Sequence, residues 1–362
     1  MGKILFNNYY KKVLTGFLFF ISTFIISISC DSTEPTDELK PGRRDYTWTI
    51  DTLYSGSIQT YMVSMWGSSS EDVWICGYDA DNSKCIYHFN GTQWYIFTTP
   101  ATNFIKKLYA VEGSNANNIF FVGKSFYLNP TPPPNFIDSA YVLQYSNGSW
   151  KNHTVNSAST LYSLCMVNES EVWAGGVKGN LFRYTGSDWQ QYFLGNEELL
   201  INGLVAVNSN EVYATGHSEK NLQGGGNYLA DYLYQYNGSV WSLIDSNITT
   251  STYNRISYPT VMKNINGNIY GSRDDAIVKK NGNSWVVIKT GIYGQFDGTN
   301  EKNIFLANQD FGVLHFDGTD WFRFDELPWL RYYDIEVFDD AVFILATDGY
   351  KTFIVKGIIK KK

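Results

Sequence analysis

The residues that could do chemistry are few and scattered. The 362-residue chain has four histidines, His88, His153, His217 and His315. No His-x-x-x-His or Cys-x-x-Cys pair occurs, so the spacing gives no support to a zinc site. His88 (YHFNG) and His315 (LHFDG) hold matching places in a repeated pattern and are expected to lie apart. His217 alone enters a long connection. Cys76 and Cys85 flank one hairpin and are placed to form a disulfide in an exported protein, whereas Cys165 reads as core. Asp79, Asp81 and Ser83 have the alternate spacing that begins a calcium loop. Lys84 stands where that loop needs glycine, and no Glu occupies its twelfth position. Glu197-Glu198 and Asp274-Asp275 are adjacent carboxylates, and neighbours on a strand point apart. Nucleophile-elbow, phosphate-loop and dinucleotide motifs are missing. We therefore assign no catalytic residue, no metal and no cofactor from sequence.

What remains is a surface carried by a scaffold, and composition describes the scaffold. Aromatic residues make up 17% of the chain, with 11 Trp, 27 Tyr and 23 Phe. Apolar residues at 44% exclude intrinsic disorder, which needs low hydrophobicity and few rings. A net charge of −7 argues against a nucleic-acid partner, which needs a basic footprint. Four cysteines are too few for a disulfide scaffold.

Lys3, Lys11 and Lys12 precede an uncharged stretch, VLTGFLFFISTFIISIS, that ends at Cys30. Basic, apolar and small-residue segments in that order are a secretory signal. Ser27-Ile28-Ser29-Cys30 resembles the lipobox of bacterial lipoproteins, with Ser27 where that family usually has Leu. The resemblance implies lipidation at Cys30 and removal of residues 1–29. The remainder then carries 25 basic against 35 acidic residues, a charge of −10. Residues 30–44 (CDSTEPTDELKPGRR) read as a flexible tether.

Residues 45–358 repeat. An apolar strand leads to a short polar turn, then Asp, Asn or Glu, a β-branched residue and an aromatic. A third strand ends in an Asn-Gly-like turn followed by Trp. The terminal Trp recurs at Trp94, Trp150, Trp189, Trp241, Trp285 and Trp321, about 45 residues apart, the length of a four-stranded propeller blade. The second-strand aromatic occurs seven times: Trp74, Phe120, Trp173, Tyr213, Tyr270, Phe305 and Phe343. The last unit lacks a fourth strand and a Trp. The segment Asp45–Leu53, with Trp48, supplies both. The expected fold is all-β, a single propeller of seven four-stranded blades, closed by pairing the N-terminal strand with the C-terminal blade. Residues 359–362 form a basic tail.

The WGSxxxDVWxxG and NGxxW patterns resemble repeats of poorly characterised secreted bacterial β-propellers, and loosely resemble kelch repeats. Only Gly77, Gly123, Gly176 and Gly216 keep the glycine after the second strand; Arg273, Asn308 and Ala346 replace it in later blades.

Turns between strands 1 and 2, and between 3 and 4, are short. Connections between strands 2 and 3, and the links between blades, are long and variable, above all Lys124–Ala140 and His217–Asp231. In a four-stranded meander these emerge on one face, which is expected to be the recognition surface. Its candidate contacts are Tyr127, Phe136, Asp138, His217, Lys220, Tyr228, Asp231, Arg255, Arg273, Asp274, Asp310, Phe311, Trp329, Arg331, Tyr332 and Tyr350. The expected function is a monomeric, non-enzymatic propeller, anchored to the bacterial envelope through lipid on Cys30, at the outer membrane or cell surface. It would bind a protein or glycan. The alternative is a polysaccharide lyase or hydrolase with its active site on that face.

Overall fold

The computed structural model describes residues 39–361 except 55, 57, 80–83, 98–104, 130, 132–134, 156–159, 222–226 and 250–257. The expected signal peptide, Cys30 and Arg255 lie outside the described residues. All regular structure among the described residues is strand, arranged as seven four-stranded antiparallel sheets. Blade 1 comprises Thr60–Ser69, Asp72–Asp79, Ile86–Phe89 and Trp94–Phe97. Blade 2 comprises Ile105–Asn115, Asn118–Asn129, Asn135–Ser146 and Ser149–His153. Blade 3 is Leu161–Asn168, Glu171–Gly176, Asn180–Tyr184 and Trp189–Phe193; blade 4 is Leu200–Asn208, Glu211–Asn221, Asn227–Tyr236 and Trp241–Thr249. Blade 5 is Val261–Ile265, Asn268–Arg273, Ala276–Asn281 and Ser284–Thr290; blade 6 is Gln295–Asn300, Asn303–Asn308, Gly312–Phe316 and Trp321–Arg323. Blade 7 takes Arg331–Val337, Ala341–Thr347 and Thr352–Ile359 from the C-terminal end and Tyr46–Leu53 from the other. Each first strand packs against the first strands of the adjacent blades, and that of blade 7 against that of blade 1, so the ring is closed.

The closing strand pairs without a break, from Tyr46 opposite Ile359 to Leu53 opposite Thr352. Trp48 lies over Gly357, where an added Cβ would come within 2.6 Å of its ring. The ladder runs one residue past the expected boundary at 358. Residues expected to be flexible are also fixed. The Gly42 amide donates to the Lys302 carbonyl (2.7 Å), Arg43 donates to the Lys360 carbonyl (2.6 Å), and Arg44 pairs with Asp317 (3.2 Å) and Asp320.

Packing explains the repeat. Each terminal Trp crosses to the preceding blade and meets its second-strand aromatic. Trp150 packs on Trp74, Trp189 on Phe120, Trp241 on Trp173 and Trp94 on Phe343, with ring centroids 5.1–6.5 Å apart. Trp285 and Trp321 join the clusters of Tyr213 and Tyr270, and Trp48 joins that of Phe305. Seven inter-blade seams are thus filled by one device, each ring burying ~150–250 Å².

The Asp/Asn/Glu that opens each second strand has a different role. A polar third-strand residue lies directly across from the second-strand aromatic: His88, Gln144, Arg183, Gln235, Lys279, His315 and Lys356. His88 stacks on Trp74 at 4.0 Å and His315 on Phe305 at 4.3 Å. The strand-opening residue then takes a hydrogen bond: His88 to Asp72 (2.6 Å), Gln144 to Asn118 (2.8 Å), Arg183 to Glu171 (2.8 Å) and His315 to Asn303 (2.9 Å). This gives each of these four polar groups a partner, which its burial requires.

Of the two states that the Cys76–Cys85 spacing allows, a disulfide or two buried free thiols, the structure holds the second. The register sets Ile86, not Cys85, opposite Cys76, and both residues are buried free thiols, as is Cys165. Burial pushes the Cys85 thiol up to about 12, and its Sγ lies 3.7 Å from the Lys106 carbonyl.

Candidate binding face

The two ends of the ring differ as the loop lengths require, but the long connections are not loops. In blade 2 the ladder continues from Lys124 opposite Ala140 to Asn129 opposite Asn135. In blade 4 it runs from His217 opposite Asp231 to Asn221 opposite Asn227. Both are β-hairpin arms that extend the blade beyond the ring. The prolines and glycines that suggested loops lie outside the described residues.

The described candidate residues lie on strand 2–3 hairpins, on inter-blade links or, for Arg331 and Tyr332, at the start of the first strand of blade 7, hence at one end of the ring. Tyr127, Phe136, Lys220 and Tyr228 are placed by backbone register only, opposite Ile137, Leu128, Tyr228 and Lys220. Asp138 is paired with Lys124 at 2.8 Å. The His217 ring meets Asn202 at 3.4 Å, while Asp231 is buried within its blade. In blade 5, Arg273 bonds Asp275 (3.0 Å) across a turn that exposes Asp274. In blade 6, Asp310 accepts a hydrogen bond from the Tyr293 hydroxyl (2.8 Å), and Phe311 meets the same ring edge-on. Trp329, Arg331 and Tyr350 are exposed; Tyr332 is tied to the Pro328 carbonyl at 2.6 Å. These residues are spread over several blades, and the geometry does not gather them into one site.

A tighter grouping lies nearer the axis, and sequence reasoning missed it. The first strands of blades 1, 2, 3, 4 and 7 each carry a β-bulge near their starts, at Val63, Tyr109, Tyr162, Asn202 and Tyr333. Blades 5 and 6 have none there. A bulge bends the strand and re-aims a side chain. In blades 1–4 it also brings a carbonyl close to the second strand. An added Cβ at Gly77, Gly123, Gly176 or Gly216 would overlap the carbonyl oxygen of Tyr61, Lys107, Thr160 or Leu200. The glycine of the repeat pattern is therefore the partner of the bulge.

Three of the bulge residues, Tyr109, Tyr162 and Tyr333, join Tyr61 and Tyr78 in an arc of tyrosines around the channel mouth. Tyr61 contacts Tyr78 (5.5 Å between centroids), Tyr78 contacts Tyr109 (6.2 Å) and Tyr109 contacts Tyr162 of the next blade (4.7 Å). Tyr333 lies close enough to Tyr78 to interact with it electrostatically, and Asp138 of the blade 2 arm reaches Tyr109 in the same way. Lys107 sits with its Nζ 4.4 Å from the Tyr78 ring centre. The rings are half-buried, and Tyr162 is 37% exposed. Burial raises the Tyr109 hydroxyl well above its ordinary value, with Tyr162, Tyr78 and Asp138 adding to it.

Below the arc, one first-strand residue per blade faces the axis, each opposite its second-strand aromatic. The seven are Trp66, Glu112, Cys165, Val205, Lys263, Asp297 and Glu336. All line a cavity of about 220 Å³. Asp334 accepts from the Met65 and Ile335 amides (2.8 and 2.9 Å), and Asp297 from the Val337 amide (2.8 Å), so these two clasp adjacent blades together. Burial works against the charge on Lys263, but Asp297, Glu336, Asp334 and Glu112 outweigh it and hold the ammonium protonated. Burial pushes Glu112 up to about 7 and Glu336 well above the usual carboxylate range. One cation faces four carboxylates, so the channel has an acid excess. Among the described residues no group of three or more His, Cys, Asp or Glu side chains is arranged to hold a metal ion.

No protein-family model and no curated protein matches the chain. Solved structures do. A structure described as "YCF48 bound to D1 peptide" is 14% identical, with a TM-score of 0.57 over 89% of this chain and 100% of its own. YCF48 from Cyanidioschyzon merolae is 11% identical, with a TM-score of 0.52 over 86% of this chain and 98% of its own. The extracellular domain of the putative hybrid two-component system BT4673 from B. thetaiotaomicron is also 11% identical, with a TM-score of 0.55 over 86% of this chain and 40% of its own. At these identities the likeness is one of fold: the chain is a seven-bladed β-propeller.

Proposed function

We propose that the chain is a lipid-anchored, non-enzymatic propeller of a bacterial envelope that binds a protein partner through its hairpin-bearing face. The observation that carries this reading is the asymmetry of the ring. Two hairpin arms and the exposed Trp329 and Tyr350 belong to one end. Rigid strands that present rings and paired charges suit recognition, since aromatic side chains give large contact area at low entropic cost. The propeller neighbours support the reading by analogy of fold, one being YCF48 with a peptide and another an extracellular domain.

The test has two arms. Affinity capture from intact envelopes is compared for the wild-type chain and for a variant with both arms cut back to two-residue turns after Lys124 and His217. Specific partners lost with the arms support the reading. A partner set unchanged by the cut overturns it. For the anchor, wild type is expected to partition into detergent and Cys30→Ser into the aqueous phase. Equal partitioning of both refutes lipidation.

A further inference from the structure

We propose that the tyrosine arc at the channel mouth is the docking surface for an extended basic peptide of the partner, with one lysine or arginine side chain entering the channel. This deepens the binding-face reading above and rests on it.

The arc is a built feature. The bulges of blades 2, 3 and 7 fall at Tyr109, Tyr162 and Tyr333 themselves, and Gly123 and Gly176 make room for the first two. None of the hydroxyls of Tyr61, Tyr78, Tyr109, Tyr162 and Tyr333 forms a hydrogen bond with a described residue. The arc therefore offers ring faces and free hydroxyls together. Ring faces attract cations, and Lys107 already occupies one of them.

Charge chooses the occupant. Four carboxylates, Glu112, Asp297, Asp334 and Glu336, share the channel with Lys263 as the only charge of opposite sign among its described lining. Asp334 is one residue inward of Tyr333, and Glu112 is three residues, about 10 Å of strand, inward of Tyr109. A long cationic side chain lowered past the rings meets this excess. A cation beside these carboxyl groups favours their charged forms, which burial disfavours, whereas a neutral glycan offers them no charge and an acidic one would be repelled. The remainder of the chain, at −10, steers a basic segment in the same direction. Glu112 is faced by Lys263, Asp334, Asp297 and Glu336 and by the Cys165 thiol. It titrates near neutrality, and a cation beside it favours its charged form.

The test uses the full chain in detergent and isothermal titration. The probes are Gly-Ser decapeptides bearing two lysines, two arginines or two glutamates, and the neutral hexasaccharide cellohexaose. The basic peptides are expected to bind, with the glutamate peptide and the sugar at least tenfold weaker. Tyr109→Ala/Tyr162→Ala loses at least tenfold; Tyr109→Phe/Tyr162→Phe, which keeps the rings, stays within about threefold. Affinity for the lysine peptide rises severalfold from pH 6 to pH 8 in wild type and stays flat in Glu112→Gln. Thermal melts confirm that each variant is folded. Failure of both basic peptides to bind at about 1 mM overturns the proposal, as does equal binding of the glutamate peptide, preference for the sugar or indifference to the alanine pair. A flat wild-type pH profile overturns entry into the channel. Partner capture that needs the arms but not Tyr109 and Tyr162 sinks this inference alone. Capture that needs neither sinks the binding-face reading itself.

Discussion

His315 should make the protein weaker in acid, by an amount the structure fixes. Its ring is fully buried, stacked on Phe305, with Nε2 bonded to Asn303 and Nδ1 without a partner. Burial, with Arg44 nearby, lowers its pKa from 6.5 to about 4. The unfolded chain therefore takes up a proton below pH 6.5 that the folded chain refuses until about pH 4. The stabilisation present above 6.5 is lost as pH falls through that window. A shift of about 2.5 units corresponds to ~3 kcal/mol in total, about 2.5 of it gone by pH 4.5. The repeat supplies a neutral replacement, because Gln144 and Gln235 hold the equivalent register position in blades 2 and 4. His315→Gln should cost no more than about 1 kcal/mol at pH 7. It should gain about 2.5 kcal/mol relative to wild type by pH 4.5, roughly 4 °C in Tm for a ring of this size. The channel carboxylates, whose pKa values are raised, act with the opposite sign in both proteins and cancel in the difference. Urea unfolding at pH 7, 5.5 and 4.5 measures that difference. A stability gap that does not change with pH refutes the reasoning.

Trp48→Ala empties the seam between blades 6 and 7 and should cost about 2–4 kcal/mol, read as a lower urea midpoint with the m-value kept. Gly42→Ala places a Cβ 2.6 Å from both Asn303 Oδ1 and His315 Nε2. It should detach the segment before the closing strand and lower Tm by several degrees, whereas Gly148→Ala, with open space but positive φ, should cost only about 1 kcal/mol. Native iodoacetamide treatment should leave Cys76, Cys85 and Cys165 unmodified, and denaturation without reductant should expose all three. A protein that gains only Cys165 under those conditions contains the disulfide the structure lacks.

The ring was legible in the sequence because it is written seven times. The mismatch between six terminal Trp and seven second-strand aromatics located the closing strand at Trp48, since a blade cannot leave its outer seam empty. The channel was not legible, for a geometric reason. Matching repeat positions lie far apart on third strands, as His88 and His315 do. On first strands they converge on the axis, so Glu112, Lys263, Asp297 and Glu336 meet although some 220 residues separate the ends of that set. The tyrosine arc was hidden differently. Gly77, Gly123, Gly176 and Gly216 were visible as a pattern, but a glycine does not announce whose backbone it admits. The arms of blades 2 and 4 were misread because their prolines and glycines dominate the signal of the short strand segments beside them in sequence.

The closing strand also determines how the ring responds to force. A pull on the chain before Tyr46 reaches the fold at the Tyr46–Ile359 end of an edge ladder. It loads those hydrogen bonds one after another, as in unzipping, rather than all together in shear. The first contacts to meet the load are the Gly42 amide on the Lys302 carbonyl, the Arg43 bond to the Lys360 carbonyl, Arg44 on Asp317 and Asp320, and the Lys360 amide on the Asp45 carbonyl. Once these give way the edge strand peels off, while each remaining sheet keeps its own ladder. The N-terminal edge strand thus acts as a mechanical fuse. It yields at low force, exposes the third strand of blade 7 as a new edge, and can re-zip when the tension is released.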